Sequence, residues 1–354
     1  MRNKLYILIC LSVGCMFFSC STRPVAKPYY SYFSDEELDE MRKYGQSVDN
    51  LSVVTLDRRD ISEIDFPEDN RIERLNLTNC NLTRIPSSIR RCKHLKDLNL
   101  EGNSIRHIPR WIMELDSLEE ISLNFNQLRL RKSDIRRLAK AKQILLAGNN
   151  IERLPSNIGR LQCENMNLAK NKLGSLPKSF AKLNQAKVLI FYENEFEEIP
   201  EVLAGFNNLI HLDFYKNQLT EVPDFVGDME NLQQLFLSYN KIKEIPDTLR
   251  NLKRLKYFYI HHNELHFLPE WITEMDSIER LGVGFNHLLD LPDLSKMKSL
   301  NDFDCEKNLL ERVPWELIEK PEMEIIVIRD NDFSLTPEEE TRLKKASKTK
   351  SIVY

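Results

Sequence analysis

Asparagine returns every 22 or 23 residues along nearly the whole chain, at Asn103, Asn126, Asn149, Asn171, Asn194, Asn217, Asn240, Asn263, Asn286, Asn308 and Asn331. Each copy has the same surroundings, with apolar residues eight, five and three positions before it and another two positions after. Around Asn240 the frame reads Leu232, Leu235, Leu237 and Ile242; around Asn217 it reads Leu209, Leu212, Phe214 and Leu219. A fixed period of this length predicts a solenoid, in which each repeat buries its apolar face only against its neighbours. With the asparagine as slot nine, Cys80 takes that slot after Ile72, Leu75 and Leu77, and Arg59 takes it after Leu51, Val54 and Leu56. Counted from Arg59 to Asn331 the frame gives 13 repeats, with its departures at the N-terminal edge, where terminal repeats are expected to be atypical.

Apolar residues at slots four and six, alternating with residues that are often polar, predict a short strand buried on one side. The asparagine ends that strand, and stacked asparagine amides predict a ladder that satisfies buried backbone groups. A second apolar residue and a proline follow, as in Ile199-Pro200, Val222-Pro223, Ile245-Pro246 and Leu268-Pro269. Proline removes a donor and fixes the backbone, so the other side is expected to hold short turns and single helical turns. After Asn126 the pair is Arg131-Lys132 instead, which points to a longer basic helix between Lys132 and Lys142 or to a simple variant repeat.

These residues resemble the leucine-rich repeat family, in its 23-residue class. The pattern L-x-x-L-x-L-x-x-N/C-x-L with a proline-containing segment after it is matched from Leu51 to about Leu335. The resemblance implies an α/β leucine-rich repeat solenoid, a horseshoe or arc with a parallel β-sheet on its concave face and short turns or helical turns on the convex side. A second likeness lies within the chain, where residues 109–119 read PRWIMELDSLE and residues 269–279 read PEWITEMDSIE, seven repeats apart. Either duplication of a block of repeats or a shared packing demand accounts for it.

A net charge of -4 argues against general nucleic-acid binding, which needs a basic stripe to neutralise phosphates. Cys80, Cys92, Cys163 and Cys305 fall at repeat slots with no metal-ligand spacing. Buried free thiols are the expectation, with a Cys80–Cys92 disulfide as the alternative.

The chain ends follow other rules. Arg2 and Lys4 precede an apolar run from Leu5 to Phe18, laid out like a secretory signal and short for a bilayer span. The run closes on Phe17-Phe18-Ser19-Cys20, which resembles a bacterial lipobox; that resemblance implies lipidation at Cys20 and attachment to a membrane of the bacterial cell envelope by acyl chains, with an ordinary cleaved signal as the alternative. No acidic residue follows Cys20 immediately, since Ser21-Thr22-Arg23 come next, so the outer membrane, on its periplasmic face or at the surface, is the expected location. The resulting organisation is a signal peptide over 1–19, a lipidated tether over 20–33, an N-terminal cap over 34–50, the solenoid over 51–335 and a C-terminal cap over 336–354. Ser34 with Glu37 predicts a capping box for the first cap, and Thr336-Pro337 followed by three glutamates predicts the start of a helix in the second.

Slots three, five and seven point outward from the concave sheet, and equivalent slots stack side by side. The N-terminal third is polar there, with Asp97, Asn99, Glu101, Glu120, Ser122 and Asn124. Val188, Ile190 and Tyr192 then give way to His211, Asp213 and Tyr215, to Gln234, Phe236 and Ser238, and to Tyr257, Tyr259 and His261. Folding requires no apolar residue at these slots, so an aromatic patch there reads as a recognition surface, with cross-strand support of the sheet as the competing explanation. The expected ligand is a protein or peptide, and the alternative is a carbohydrate or cell-wall component stacked on the tyrosines.

Enzyme chemistry finds little support. Ser238 and His261 share a slot on adjacent strands, but Asp213 lies beyond Ser238, roughly 10 Å from the histidine strand, and cannot orient the imidazole as a triad requires. His211, His261, His262 and His287 do not converge as metal ligands must, since a strand running through His261 and His262 sends them to opposite sides. No glycine-rich phosphate loop is present and no cofactor is expected.

Overall fold

A computed structural model describes residues 52–354 apart from 60, 62, 63 and 69, together with the backbone of Lys27–Pro28. The proposed signal, lipidation cysteine and Ser34–Glu37 capping box lie outside the described residues.

Fourteen strands form one open sheet, each parallel to its neighbours and nearly all in sequence order. Thirteen are the strands of the repeats, from Val53–Thr55 to Ile325–Val327, each three residues long at slots three to five. Equivalent slots pair directly: His211 with Gln234, Gln234 with Tyr257, Tyr257 with Arg280. Slots four and six face inward, so that Leu235 and Leu237, like their counterparts, are fully buried. A two-residue strand, Ile64–Asp65, pairs separately with Lys27–Pro28.

The asparagine ladder is built as the repeat frame demands. In Asn126 the side-chain Nδ2 donates to the carbonyls of Leu100, one repeat back, and of Leu123, while Oδ1 accepts the N–H of Ile105. The same three links recur at Asn149, Asn194 and Asn263. Cys80 keeps one of them, its thiol donating to the Leu56 carbonyl at 2.8 Å. Slot eight, just before the asparagine, is left-handed in all 13 repeats, whether filled by Gly102 and Gly148 or by Lys170, Lys216, Tyr239 and His262. Only glycine adopts that conformation freely, so the turn is imposed on the other side chains by the ladder on either side of it.

On the convex side, each proline of the motif precedes a short 3-10 helix: Glu201–Leu203 after Pro200, Asp224–Asp228 after Pro223, Asp247–Asn251 after Pro246 and Glu270–Glu274 after Pro269. The related segments at 109–119 and 269–279 take the same place, but Trp271 is buried and donates its indole N–H to Asp247 at 2.7 Å, whereas Trp111 stays partly exposed. The variant repeat does form an α-helix, Lys132–Arg137, shorter than the expected span to Lys142. Asp134 starts it by accepting the Arg131 N–H at 2.8 Å, and Arg137 holds it by donating to Asp134 and to the Ile108 carbonyl.

Phenylalanines thicken the core in the middle of the stack. Phe191 stacks on Phe214 at 4.8 Å, and Phe196 meets both rings edge-on. Cys80, Cys92, Cys163 and Cys305 are all free and buried, and burial pushes the Cys80 thiol up to about 11 and those of Cys92 and Cys163 to about 12.

At the C-terminal end Thr336 caps the helix Pro337–Ala346, paired with Glu339 in a reciprocal capping box. Beyond it Ser351–Val353 adds a fourteenth strand, parallel to Ile325–Val327, which the repeat frame does not foretell. Lys320 is buried beneath this end and donates from Nζ to the carbonyls of Met297 and Leu300. Among the described residues no helix is long and apolar enough to cross a membrane.

Candidate binding surface

Four adjacent strands, Val188–Ile190, His211–Asp213, Gln234–Phe236 and Tyr257–Tyr259, carry the aromatic stretch across the concave face. Strand spacing of about 4.8 Å is close to the reach of one ring, so rings on neighbouring strands touch. Tyr192 meets Tyr215 at 5.2 Å between centroids, His211 meets Phe236 at 4.9 Å, and Phe236 meets Tyr259 at 5.3 Å. Val188, Ile190, Tyr192, Asp213, Tyr215, Gln234, Phe236, Tyr257, Tyr259 and His261 are all half-buried. The rings therefore support one another and stay partly exposed to solvent.

Two outward slots are not free. His211 is only 9% exposed, lodged against the Phe236 ring, and its Nε2 has no hydrogen-bond partner. Burial pulls its imidazole down to about 4, against a hydrogen bond that the ring donates to Gln234, which opposes the shift. Ser238 is fully buried, because Tyr215 and His261, two strands apart, close over it with their centroids 5.9 Å from one another. Its hydroxyl makes no hydrogen bond, so it does not engage His261 despite the shared slot. Small residues between large ones lose their exposure to the neighbours, which slot position alone does not reveal.

Asp213 has a backbone task. Its Oδ1 accepts the Tyr215 N–H at 2.7 Å, as Asn99 does for Glu101, Asn167 for Ala169 and Asp304 for Glu306. Burial among the rings nonetheless pushes its carboxyl up to about 7, the Tyr215 donor only partly opposing this. Tyr192 is raised to about 12, by burial first and by the neighbouring Glu193 charge second.

His261 and His262 correct the expectation of opposite-facing rings. The strand ends at Tyr259, and His262 turns left-handed at φ 53°, so the two Nδ1 atoms face each other at 2.8 Å. Burial lowers both imidazoles, His261 to about 4. Among the described residues no group of three or more His, Cys, Asp or Glu is placed to hold a metal ion.

Slot eight supplies an aromatic row that the choice of slots three, five and seven misses. The His262 ring lies flat between Tyr239 and Phe285, with centroids 3.8 Å from each. Tyr239 also reaches Tyr215 at 5.0 Å, so this rim stack joins the concave strip. The signal was present in the sequence as three successive aromatic or imidazole residues immediately before Asn240, Asn263 and Asn286.

Charge changes around the strip as well. Just outside the strands, slot two carries ion pairs between neighbouring repeats, Glu73–Lys96, Glu119–Lys142, Glu164–Lys187 and Lys256–Glu279. Ile210 and Gln233 interrupt that row beside the aromatic strands. Past them Arg280 sits 5.5 Å from the Tyr257 ring centre, and Arg329 pairs with Glu306.

A sequence profile described as Leucine rich repeat matches residues 70–128, 211–265 and 230–288. The fold is similar to that of a leucine-rich repeat protein of Leptospira interrogans, with a TM-score of 0.75 and 28% identity over 82% of this chain and 76% of that one. It is also similar to an internalin of Listeria monocytogenes, with a TM-score of 0.70 and 22% identity over 91% of this chain and 89% of the other. The Arabidopsis receptor kinase HAESA, solved with the peptide hormone IDA and the co-receptor SERK1, gives a TM-score of 0.59 and 23% identity over 74% of this chain and 50% of that one. No curated protein matches the sequence. By its asparagine-timed repeat, its open parallel sheet and these likenesses, the chain has the leucine-rich repeat fold.

Proposed function

We propose that this is a non-enzymatic binding protein that takes a protein or peptide ligand on its concave face, over the strip from Tyr192 to Tyr259 and its rim at Tyr239 and His262. The observation that carries this reading is the continuous run of half-exposed rings across four strands, at slots where folding requires no apolar side chain. Rigid rings that stay partly exposed give large contact area at low entropic cost, and tyrosine adds a polar edge. Structures of this fold include receptors solved with peptide hormones. At such identity the likeness is of fold alone, and the concave side chains carry the reading here.

The same proposal places the protein in a bacterial envelope, tethered by lipid at Cys20, because the leader ends in a lipobox-like Ser19-Cys20. Loss of metabolic palmitate labelling in Cys20→Ser tests the anchor. For the ligand face, the test is replacement of Tyr215, Phe236 and Tyr259 by alanine. The triple variant is expected to fold yet to lose defined peptide ligands; retention of every ligand at wild-type affinity refutes the concave site.

A further inference from the structure

We propose that the concave face recognises a basic partner: an extended peptide segment that lays an apolar or aromatic residue over Tyr215 and Phe236 and a lysine or arginine between Tyr259 and Asp304. This rests on the binding reading above and names the chemistry of its ligand.

Charge complementarity is the first support. Over slots three, five and seven from Val53 to Arg329, the sheet presents eight Asp or Glu residues against three Arg and no Lys. The face thus has five more acids than bases, while the chain as a whole has an excess of only four. Lysines stand one slot further out, and Lys307 there is turned onto the Phe285 ring at 5.1 Å.

Geometry locates the cationic position. Gly282 and Gly284 occupy two of the three outward slots of the strand after Tyr259 and offer no side chain, while Arg280 holds the third, beside Tyr257. A Cβ at Gly282 would stand 2.6 Å from Cδ1 of Tyr259, and one at Gly284 would stand 3.0 Å from Oδ1 of Asp304 and 3.2 Å from Cγ of Glu306. The tyrosine ring therefore leans over this strand from one side and the two carboxylates lean over it from the other. Aromatic faces and carboxylates together are what a desolvated ammonium or guanidinium needs.

The existing cations do not saturate these acids. Arg329 holds Glu306 and Arg280 lies 3.8 Å from Asp302, but Asp304 pairs with no Lys or Arg among the described residues. Burial raises both Asp302 and Asp304, and Arg280 near the first and Arg329 near the second only partly oppose it. From the Tyr215 strand to the Asp304 strand is four spacings, roughly 19 Å, which an extended peptide covers in about six residues.

A random dodecapeptide phage library panned on the purified protein tests this, with selected peptides synthesised and titrated against wild type, Asp304→Asn/Glu306→Gln and Tyr215→Ala/Phe236→Ala. The asparagine keeps the acceptor for the Glu306 N–H, and thermal unfolding checks that each variant folds. The expected result is peptides enriched in Lys and Arg over Asp and Glu, weakened at least tenfold by the Asp304/Glu306 change and weakened by added salt. Peptides that need Tyr215 and Phe236 but show no basic bias and ignore the Asp304/Glu306 change overturn the basic-partner inference and leave the binding face standing. Peptides indifferent to both variants, or an empty selection, overturn both.

Discussion

The side-chain amide of Asn149 donates to the carbonyl of Leu123, 2.9 Å away and one full repeat earlier. It also donates to Leu146 in its own repeat and accepts the Leu128 N–H, so one residue satisfies buried backbone groups in two successive repeats. Asn149→Ala leaves those groups unpaired where water cannot reach them, at a cost of about 2–4 kcal/mol. Asn331 makes the same kind of links at the half-exposed last repeat, where solvent replaces them, so Asn331→Ala is expected to cost less than half as much. Urea denaturation of the two variants checks this, and equal losses contradict the ladder's dependence on burial.

Ser238 carries a buried hydroxyl without a partner beneath the Tyr215–His261 contact. A hydroxyl held away from water and unpaired costs about 1–3 kcal/mol, and alanine fills nearly the same volume without that cost. Ser238→Ala is therefore expected to raise the unfolding free energy by about 1 kcal/mol and to leave ligand binding unchanged. A variant that loses stability shows that the hydroxyl has a partner, such as a bound water.

Asp213 links stability to pH. Folding raises its carboxyl from an ordinary 3.8 to about 7, so the folded protein binds a proton that the unfolded chain has released between those values. Its contribution to stability is thus complete below about pH 4 and is lost progressively as pH rises to about 7. Asp213→Asn keeps the acceptor for the Tyr215 N–H and removes the titration. The variant is expected to match wild type near pH 4 and to exceed it by at most about 4 kcal/mol at pH 8, with the gap opening between those limits. Thermal unfolding across pH 4 to 8 reads this; a constant gap, or one that closes with rising pH, shows that the carboxyl is not held protonated by folding.

The repeat frame made most of this fold legible, because slots four, six and nine each have a single physical task that a period of 23 residues states repeatedly. The concave residues were locatable for the same reason, but their exposure was not. His211 and Ser238 are outward in register and buried in fact, since Phe236, Tyr215 and His261 are large enough to cover them. His262 was misread because the strand pattern gives no sign of the left-handed turn at slot eight, which swings that side chain to the rim against Tyr239 and Phe285. The final strand, Ser351–Val353, has no asparagine frame at all, so the repeat pattern carries no sign of it.

That final strand supports the last prediction. Ser351–Val353 pairs with Ile325–Val327, and Lys350 donates from Nζ to the carbonyls of Ile318 and Lys320. Removal of residues 347–354 deletes both the strand and the lysine, leaving the backbone groups of Ile325–Val327 as an open edge beside the partly exposed Ile325. Unpaired parallel edges of this kind template pairing with other chains. The shortened protein is expected to expose the Ile328 amide, which donates to the Val353 carbonyl, to hydrogen exchange, while amides near Asn149 stay protected, since repeats interact only with their neighbours. It is also expected to self-associate with rising concentration in analytical ultracentrifugation. Full protection of the Ile328 amide together with a monomeric profile shows that the fourteenth strand is dispensable as a cap.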